Sequence, residues 1–378
     1  MEHKRLRLGI SQDEDQAKNM VYKVNYLDNE KYTISMGNFD ADYVKLKLEL
    51  YGVCVIEGVI SEDICDDIYK RTKQTVSNMT QKWDTPIDFD DYKTINMSHL
   101  SKHHQLIQES SIGQIREAWE LRSNANVMTV FAGIHNCKED DLISSTDAIS
   151  LFAYDVTKCN KEFKHPVNAA EVERKYWFHS DQSYTGTAKP YIQSWVTMLD
   201  TEANQSTFGF FESSHIHHGE YFEKFGKRIE NIKANWNKIN AEEIEWYLQQ
   251  QQCQMKGITC KKGAMVLWKS ETIHCGLPPT TSTSEYKNRC VYYICQVPRQ
   301  WATVDQLARK RKYVIKGRTT THQPDQFGLF GTKMRFGKKE CPIEYPIVDA
   351  ADLTDIQKRL AGFDNEHQFQ ILYKEYNK

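Results

Sequence analysis

Between Asp40 and Leu50 apolar side chains fall at helical steps, which predicts a helix with one buried face. Directly after it, Val53-Cys54-Val55-Ile56-Glu57-Gly58-Val59 is nearly continuous apolar text, the pattern of a strand covered on both faces. Ser61-Glu62-Asp63-Ile64 then sets a capping hydroxyl and two carboxylates ahead of a second apolar helix face. Residues 84–104 are polar and loop-like, and 105–135 read as largely helical. From Asp147 the period changes. Strands are expected at Asp147–Tyr154, Tyr191–Leu199, Thr207–Glu212, Met265–Trp268 and Cys290–Val297, with Gly, Pro, Ser and Thr turns between them. Residues 219–252 interrupt this run with helical material rich in Glu, Lys and Gln. Helices first and many strands after them predict an α+β fold. Its strands would close into a double-stranded β-helix, the jelly-roll or cupin-like arrangement, with flanking amino-terminal helices.

The same pattern divides the chain. Residues 1–38 form a charged, weakly periodic lead-in, 39–340 a single main domain carrying the helical insert, and 341–378 a helical carboxy-terminal extension. With 40% hydrophobic and 26% charged residues in 378, the chain can bury a sizeable core. A net charge of -2 does not suit a nucleic-acid binder working through bulk charge. One segment departs from this balance: Trp301 to Glu340 holds ten Lys or Arg against three Asp or Glu. No run approaches eighteen apolar residues, and Met1-Glu2-His3-Lys4-Arg5 leads into no apolar stretch, so neither a membrane span nor a secretory leader is expected. The ten cysteines form no CxxC pair and several sit in apolar runs, which suits buried reduced thiols. The expectation is a cytoplasmic monomer acting on a small-molecule substrate, without nucleic-acid or membrane partners.

Candidate chemistry gathers at two places far apart in the chain. His179 and Asp181, within Tyr176-Trp177-Phe178-His179-Ser180-Asp181-Gln182, stand two apart, so on an extended segment both project to one face. His274 follows 95 residues later, after the apolar Gly263-Ala264-Met265-Val266-Leu267-Trp268, and Arg289 opens the next strand-like segment. Two imidazoles and a carboxylate on one side of an iron leave three positions open. A non-haem Fe(II) oxygenase uses those positions for a chelating cosubstrate and O2. A guanidinium suits the cosubstrate's distant carboxylate, which it grips through two parallel hydrogen bonds. HxD alone is a weak signal; the ordered set is far more specific. His215, His217 and His218 form a denser cluster, but no carboxylate precedes them at ligand spacing, which favours a structural role. The chain has no HExxH, no GxGxxG opening a helix and no P-loop, so a zinc protease, a dinucleotide site and an ATP site lack support.

Residues 39 to about 299 resemble the phytanoyl-CoA dioxygenase-like group of Fe(II)/2-oxoglutarate oxygenases. The likeness is carried by Tyr51 to Ser61, by Thr207-Phe208-Gly209-Phe210-Phe211-Glu212-Ser213-Ser214-His215, and by Lys262 to Trp268 leading to His274. It implies that His179, Asp181 and His274 ligate Fe(II) and that Arg289 binds 2-oxoglutarate. O2 would be the oxidant and ascorbate an accessory reductant. The chain departs from the family pattern in two ways. His274 and Arg289 are fifteen residues apart, longer than the family spacing, which makes Arg299 a competitor for the clamp. Gly276 stands where the family often has a serine, so Gln193 or Ser150 is the candidate to complete the cosubstrate site.

His179-Ser180-Asp181-Gln182 with Tyr191-Ile192-Gln193-Ser194-Trp195-Val196 resembles an algal-type branch that includes kainoid synthases, which close a pyrrolidine ring on an N-prenylated glutamate. Retention of Asp181 points to hydroxylation or oxidative ring closure rather than halogenation. The basic stretch 309–318 reads as a solvated face, as a wall giving cations to an anionic substrate, or as a nucleic-acid contact. On the second reading Arg318 and Lys316 contact substrate, with Tyr184, Trp195 and His322 as further candidates. The rival readings are hydroxylation of an acyl thioester or a protein side chain, and a jelly-roll binding protein without turnover.

Overall fold

The computed structural model describes residues 24–26, 29–95, 106–152, 177–182, 190–226, 236–277, 279, 287–332, 334–336, 339–341, 343–344 and 347–377. The first strand is β1 (Thr33–Ser35), inside the stretch where hydropathy gives an irregular lead-in, and β1 runs parallel to β2 (Val53–Glu57). Parallel neighbours need a crossover, which α1 (Ala41–Tyr51) supplies. Asp40 caps α1 by accepting from the N–H groups of Asp42 and Tyr43, and Gly52 ends it at φ +78°. A side chain at Gly52 would also run into Thr272 and His215, so glycine serves both the turn and the close approach there. Ser61 stands at the N-cap of α2 (Glu62–Met79), yet its hydroxyl makes no cap hydrogen bond; the acidic Glu62 and Asp63 alone meet the first turn. The stretch 105–135 is less helical than its composition suggests, comprising β3 (Leu106–Ile107), α3 (Arg116–Arg122) and α4 (Ala125–His135).

The strand-rich part follows as β4 (Leu142–Ser144), β5 (Ile149–Phe152), β6 (His179–Ser180), β7 (Ile192–Thr197) and β8 (Thr207–Phe211). After α5 (His218–Phe225) come β9 (Asn237–Lys238) and α6 (Ala241–Glu245), then β10 (Met255–Gly257), β11 (Met265–Lys269) and β12 (His274–Leu277). β13 (Arg289–Ile294), β14 (Gln296–Pro298), α7 (Val304–Ile315), α8 (Asp355–Leu360) and α9 (Glu366–Tyr376) complete the elements used below. Two sheets dominate. The larger has the order β1-β2-β11-β7-β13-β5-β3 and the smaller β10-β8-β12-β6-β9.

Alternation along the strands shows how the sheets face each other. Val53, Val55, Trp195, Val266, Trp268 and Val291 of the larger sheet share one apolar cluster with Phe208 and Phe210 of the smaller. Intervening residues of the same strands, among them Cys54, Ile56, Val196, Leu267 and Tyr292, belong to a second cluster with the helices α1 to α4, α8 and α9. On the outer face of the smaller sheet, Phe211, Cys275 and Leu277 pack with Tyr221 and Phe222 of α5 and with Trp246 and Tyr247 beyond α6. Both sheets are therefore covered on both sides, which is why Val53 to Ile56 reads as unbroken apolar text. A one-residue slip of any inner strand would exchange its two faces, so this double burial also fixes the register. Of the eight cysteines whose side chains are described, none is in a disulfide and all but Cys137 are buried. No described helix is long and apolar enough to cross a membrane.

Candidate metal centre

β6 and β12 are antiparallel neighbours in the smaller sheet, with His179 directly opposite His274. His274 also lies opposite Phe210, so it projects with Phe210 into the layer between the sheets. The two imidazole centroids are 4.3 Å apart. Asp181 follows His179 by two residues and reaches the same place. Its Oδ2 lies 3.4 Å from His274 Nε2 and 3.8 Å from His179 Nε2. The three ligand atoms all lie within 4.8 Å of one another.

The backbone sets the tautomers. His179 Nδ1 lies 2.9 Å from the carbonyl oxygen of Trp177, and His274 Nδ1 lies 2.8 Å from that of Thr272. A ring nitrogen facing a carbonyl carries the proton, so each Nδ1–H donates and each Nε2 keeps its lone pair toward Asp181. Stacking holds the ring planes: Trp177 lies 4.3 Å from His179 and Phe208 5.3 Å from His274, centroid to centroid. Gln193 Nε2 donates to Asp181 Oδ2 at 3.0 Å, which aims the carboxylate. Burial works against a charge on Asp181, but when the imidazoles of His322, His179 and His274 are protonated their positive charge outweighs it and holds the carboxyl well below the usual carboxylate range.

Ser270, in the turn between β11 and β12, locks these parts together. Its carbonyl accepts from the Asp181 N–H at 2.9 Å and its N–H donates to the Tyr191 carbonyl at 2.8 Å. Its hydroxyl accepts from the Tyr191 N–H and donates to Gln182 Oε1, both at 3.0 Å. Nothing in the sequence marks this serine, because a lone Ser in a polar turn carries no period or spacing.

Arg289 opens β13 on its inward face, in step with Val291. It is 7% exposed, donates to the Ser206 carbonyl at 3.0 Å and has its guanidinium 5.4 Å from the centre of the Trp195 ring. Among the described residues no carboxylate pairs with it. A buried cation held only by neutral groups is a place for an anion. The indole N–H groups of Trp195 and Trp268 are buried in the same interior layer and have no hydrogen-bond partner among the described residues. Among the described residues this layer thus offers a charge and two unpaired donors to a carboxylate-bearing group, and the His-Asp-His set could hold a metal ion.

The remaining candidates are spread out. Gln193 turns inward onto Asp181 as described, and Ser150 is buried on β5 opposite Val291. Trp195 lies in the interior layer beneath Arg289. The His322 ring sits 6.2 Å from the Tyr191 ring and lies close enough to feel the charges of Asp181 and His274. Arg318 donates to the Phe330 carbonyl at 2.7 Å, and its Nε is buried without a partner among the described residues. Lys316 is exposed at the end of α7, and Tyr184 lies outside the described residues. Arg299 is engaged by the Gly362 carbonyl and Asp364. The basic helix α7 is only partly a solvated face. Lys310 and Arg311 are buried, donating to the carbonyls of Ser144 and Gly362. Trp236, half-exposed and 5.9 Å from His179, and the Tyr191–Asp325 pair at 2.7 Å had no signature in the sequence.

No family model matches the chain, and neither does any curated protein. Among solved structures the fold is similar to GlcNAc Inducible Gene 2, GIG2 (DUF1479), from Candida albicans, with TM-score 0.53 and 12% identity over 91% of this chain and 84% of that one. It is also similar to a protein from Salmonella typhimurium LT2, with TM-score 0.50 and 11% identity over 88% and 86% of the two chains. A looser likeness, TM-score 0.41 at 9% identity over 68% and 83%, is to the epimerase SnoN in complex with Fe3+, alpha ketoglutarate and nogalamycin RO. At these identities the first two likenesses are of fold, and no shared activity follows from the third.

Proposed function

We propose that this chain is an Fe(II)/2-oxoglutarate-dependent oxygenase whose two facing sheets form the double-stranded β-helix of the phytanoyl-CoA dioxygenase-like group. The observation that carries the reading is the convergence of His179, Asp181 and His274, with ligand atoms within 4.8 Å of one another. Both Nδ1 atoms face backbone carbonyls, which leaves the Nε2 atoms, beside Asp181, as the ligating nitrogens. These three residues would hold the iron. Arg289 would take the far carboxylate of 2-oxoglutarate, with the Trp195 and Trp268 N–H groups and Ser150 as the other polar groups of that interior. When bound, the metal and cosubstrate supply the oxidising power, with O2 as oxidant and ascorbate as accessory reductant. The protein's own part is to hold the imidazole tautomers, aim the Asp181 carboxylate through Gln193 and keep water from the apolar layer.

Anaerobic Fe(II) with 2-oxoglutarate should give a weak visible charge-transfer band that His179→Ala and His274→Ala both lose. Retention of the band and of full succinate production in both variants rules the reading out. Arg289→Ala should weaken 2-oxoglutarate binding by about 2–5 kcal/mol, as loss of one partner of a buried charge pair does. Arg299→Ala should leave it unchanged.

For the substrate we infer a small anionic metabolite oxidised at a C–H bond, in its finest form ring closure on an N-prenylated glutamate. This finer reading rests on the sequence pattern around His179 and Tyr191 and on the unpartnered Nε of Arg318. Succinate release above the uncoupled background, measured across N-alkylated acidic amino acids, acyl thioesters and peptides, tests it. Turnover with thioesters or peptides alone removes the small-molecule substrate and leaves the iron chemistry standing.

A further inference from the structure

The chain from Arg318 to Phe327, just beyond α7, is fastened on several sides by groups with no part in metal binding. Thr320 exchanges bonds with Thr146, its N–H donating to the Thr146 carbonyl at 2.9 Å and its hydroxyl accepting from the Thr146 N–H at 3.2 Å. Thr319 accepts from the Gly113 N–H at 2.9 Å, and the Thr321 hydroxyl donates to Gln323 at 2.7 Å. Asp325 accepts from the Tyr191 hydroxyl at 2.7 Å. Tyr191 stands two residues before Gln193, which donates to Asp181. One short stretch of chain therefore fixes both this segment and the carboxylate of the metal centre.

His322 lies within the fastened segment. Its ring meets the Tyr191 ring edge-on at 6.2 Å, just ahead of the strand that carries Gln193 to Asp181, and it lies close enough to feel the charges of Asp181 and His274. Its Nε2 is buried and has no hydrogen-bond partner among the described residues. Such an atom needs an occupant to satisfy it. It is not a fourth member of the ligand set, which among the described residues comprises His179, Asp181 and His274 alone.

We propose that His322 is a positioning residue for whatever takes the open side of the metal, hydrogen-bonding through Nε2 to a small anion or oxygen-donor group bound there. This rests on the metal reading above. The segment's anchors hold the imidazole in place before the ligand arrives, so the contact needs little reordering.

Co(II), which does not turn over, serves as the metal probe and azide as the small anion. The full chain is titrated with Co(II) and its Co(II) form with azide, following visible absorption. In His322→Phe, Co(II) affinity stays within about twofold of the unsubstituted protein while azide affinity falls roughly five- to tenfold, the effect of one lost hydrogen bond. His322→Gln, which keeps a donor, recovers most of the azide affinity. His322→Ala gives the same comparison should the phenylalanine prevent folding. Unchanged azide affinity in the Phe and Ala variants overturns the proposal and leaves the metal reading intact. Loss of Co(II) affinity in those variants also overturns it, making His322 a ligand. Equal Co(II) binding by the unsubstituted protein and Asp181→Ala sinks the metal reading, and the proposal with it.

Discussion

Two groups of histidines in this chain have opposite fates. His215, His217 and His218 are packed into four residues, whereas His179 and His274 lie 95 residues apart. The compact group disperses on folding. His215 Nε2 meets the Glu49 carbonyl at 2.9 Å, His218 Nε2 meets the Gln182 carbonyl at 3.0 Å, and His217 sits near Glu220 at the surface. Each ring turns to a different neighbour because the turn before α5 points successive side chains in different directions. The separated pair converges because two antiparallel strands put His179 opposite His274, and Asp181 adds a carboxylate on the same face. Nearness in sequence gives a cluster of one residue type. A ligand set also needs a common face and a carboxylate.

The sharpest way to break this contrast is Asp181→Ala. Fe(II) or Co(II) affinity should fall by more than about a hundredfold, beyond the loss typical of a supporting residue, as followed by metal titration. His215→Ala should leave that affinity alone and act on stability instead. It removes a buried ring and leaves the Glu49 carbonyl unpaired, a cost of about 1–3 kcal/mol in urea unfolding.

The same histidine has a pH signature. Burial lowers its pKa from 6.5 to about 4, and burial likewise lowers that of His135 to about 4. Unfolded imidazoles take up protons first, so this share of stability is complete above pH 6.5 and is lost as the pH falls toward 4. The unfolding midpoint should therefore drop over that window, and drop less in His215→Gln. A drop of equal size in the variant would refute the assignment.

Gln193→Leu separates ligand from support. Losing the bond to Asp181 should reduce metal affinity about tenfold while all three ligands remain. An unchanged titration would mean that packing alone aims Asp181. His217→Ala, at the surface, should stay within about 0.5 kcal/mol in stability and leave metal binding untouched; a large effect on either would show that the compact cluster is more than structural.

Much of this molecule was legible from pattern. The helix over Asp40–Leu50, the buried strand after it and the strands near Tyr191, Thr207, Met265 and Cys290 all show in hydropathy, because each buries one or both faces at a fixed period. Ser61 shows a limit of that reading. Residue type placed it at the N-cap, but whether its hydroxyl bonds there depends on a rotamer that the pattern does not encode. Ser270, Trp236 and Asp325 were invisible for a related reason: each matters through a partner from a distant part of the chain.

The sequence by itself determined the alternation of faces, the donor types at 179, 181 and 274, and the cation at 289. Tertiary structure decided the rest. It put His179 opposite His274, chose the tautomers through the Trp177 and Thr272 carbonyls, left Arg289 without a carboxylate among the described residues and brought His322 against Tyr191. The physical reason is reach. Periodicity is written into neighbouring residues, whereas opposition, charge balance and unmet hydrogen bonds belong to pairs that meet only when the sheets close on each other.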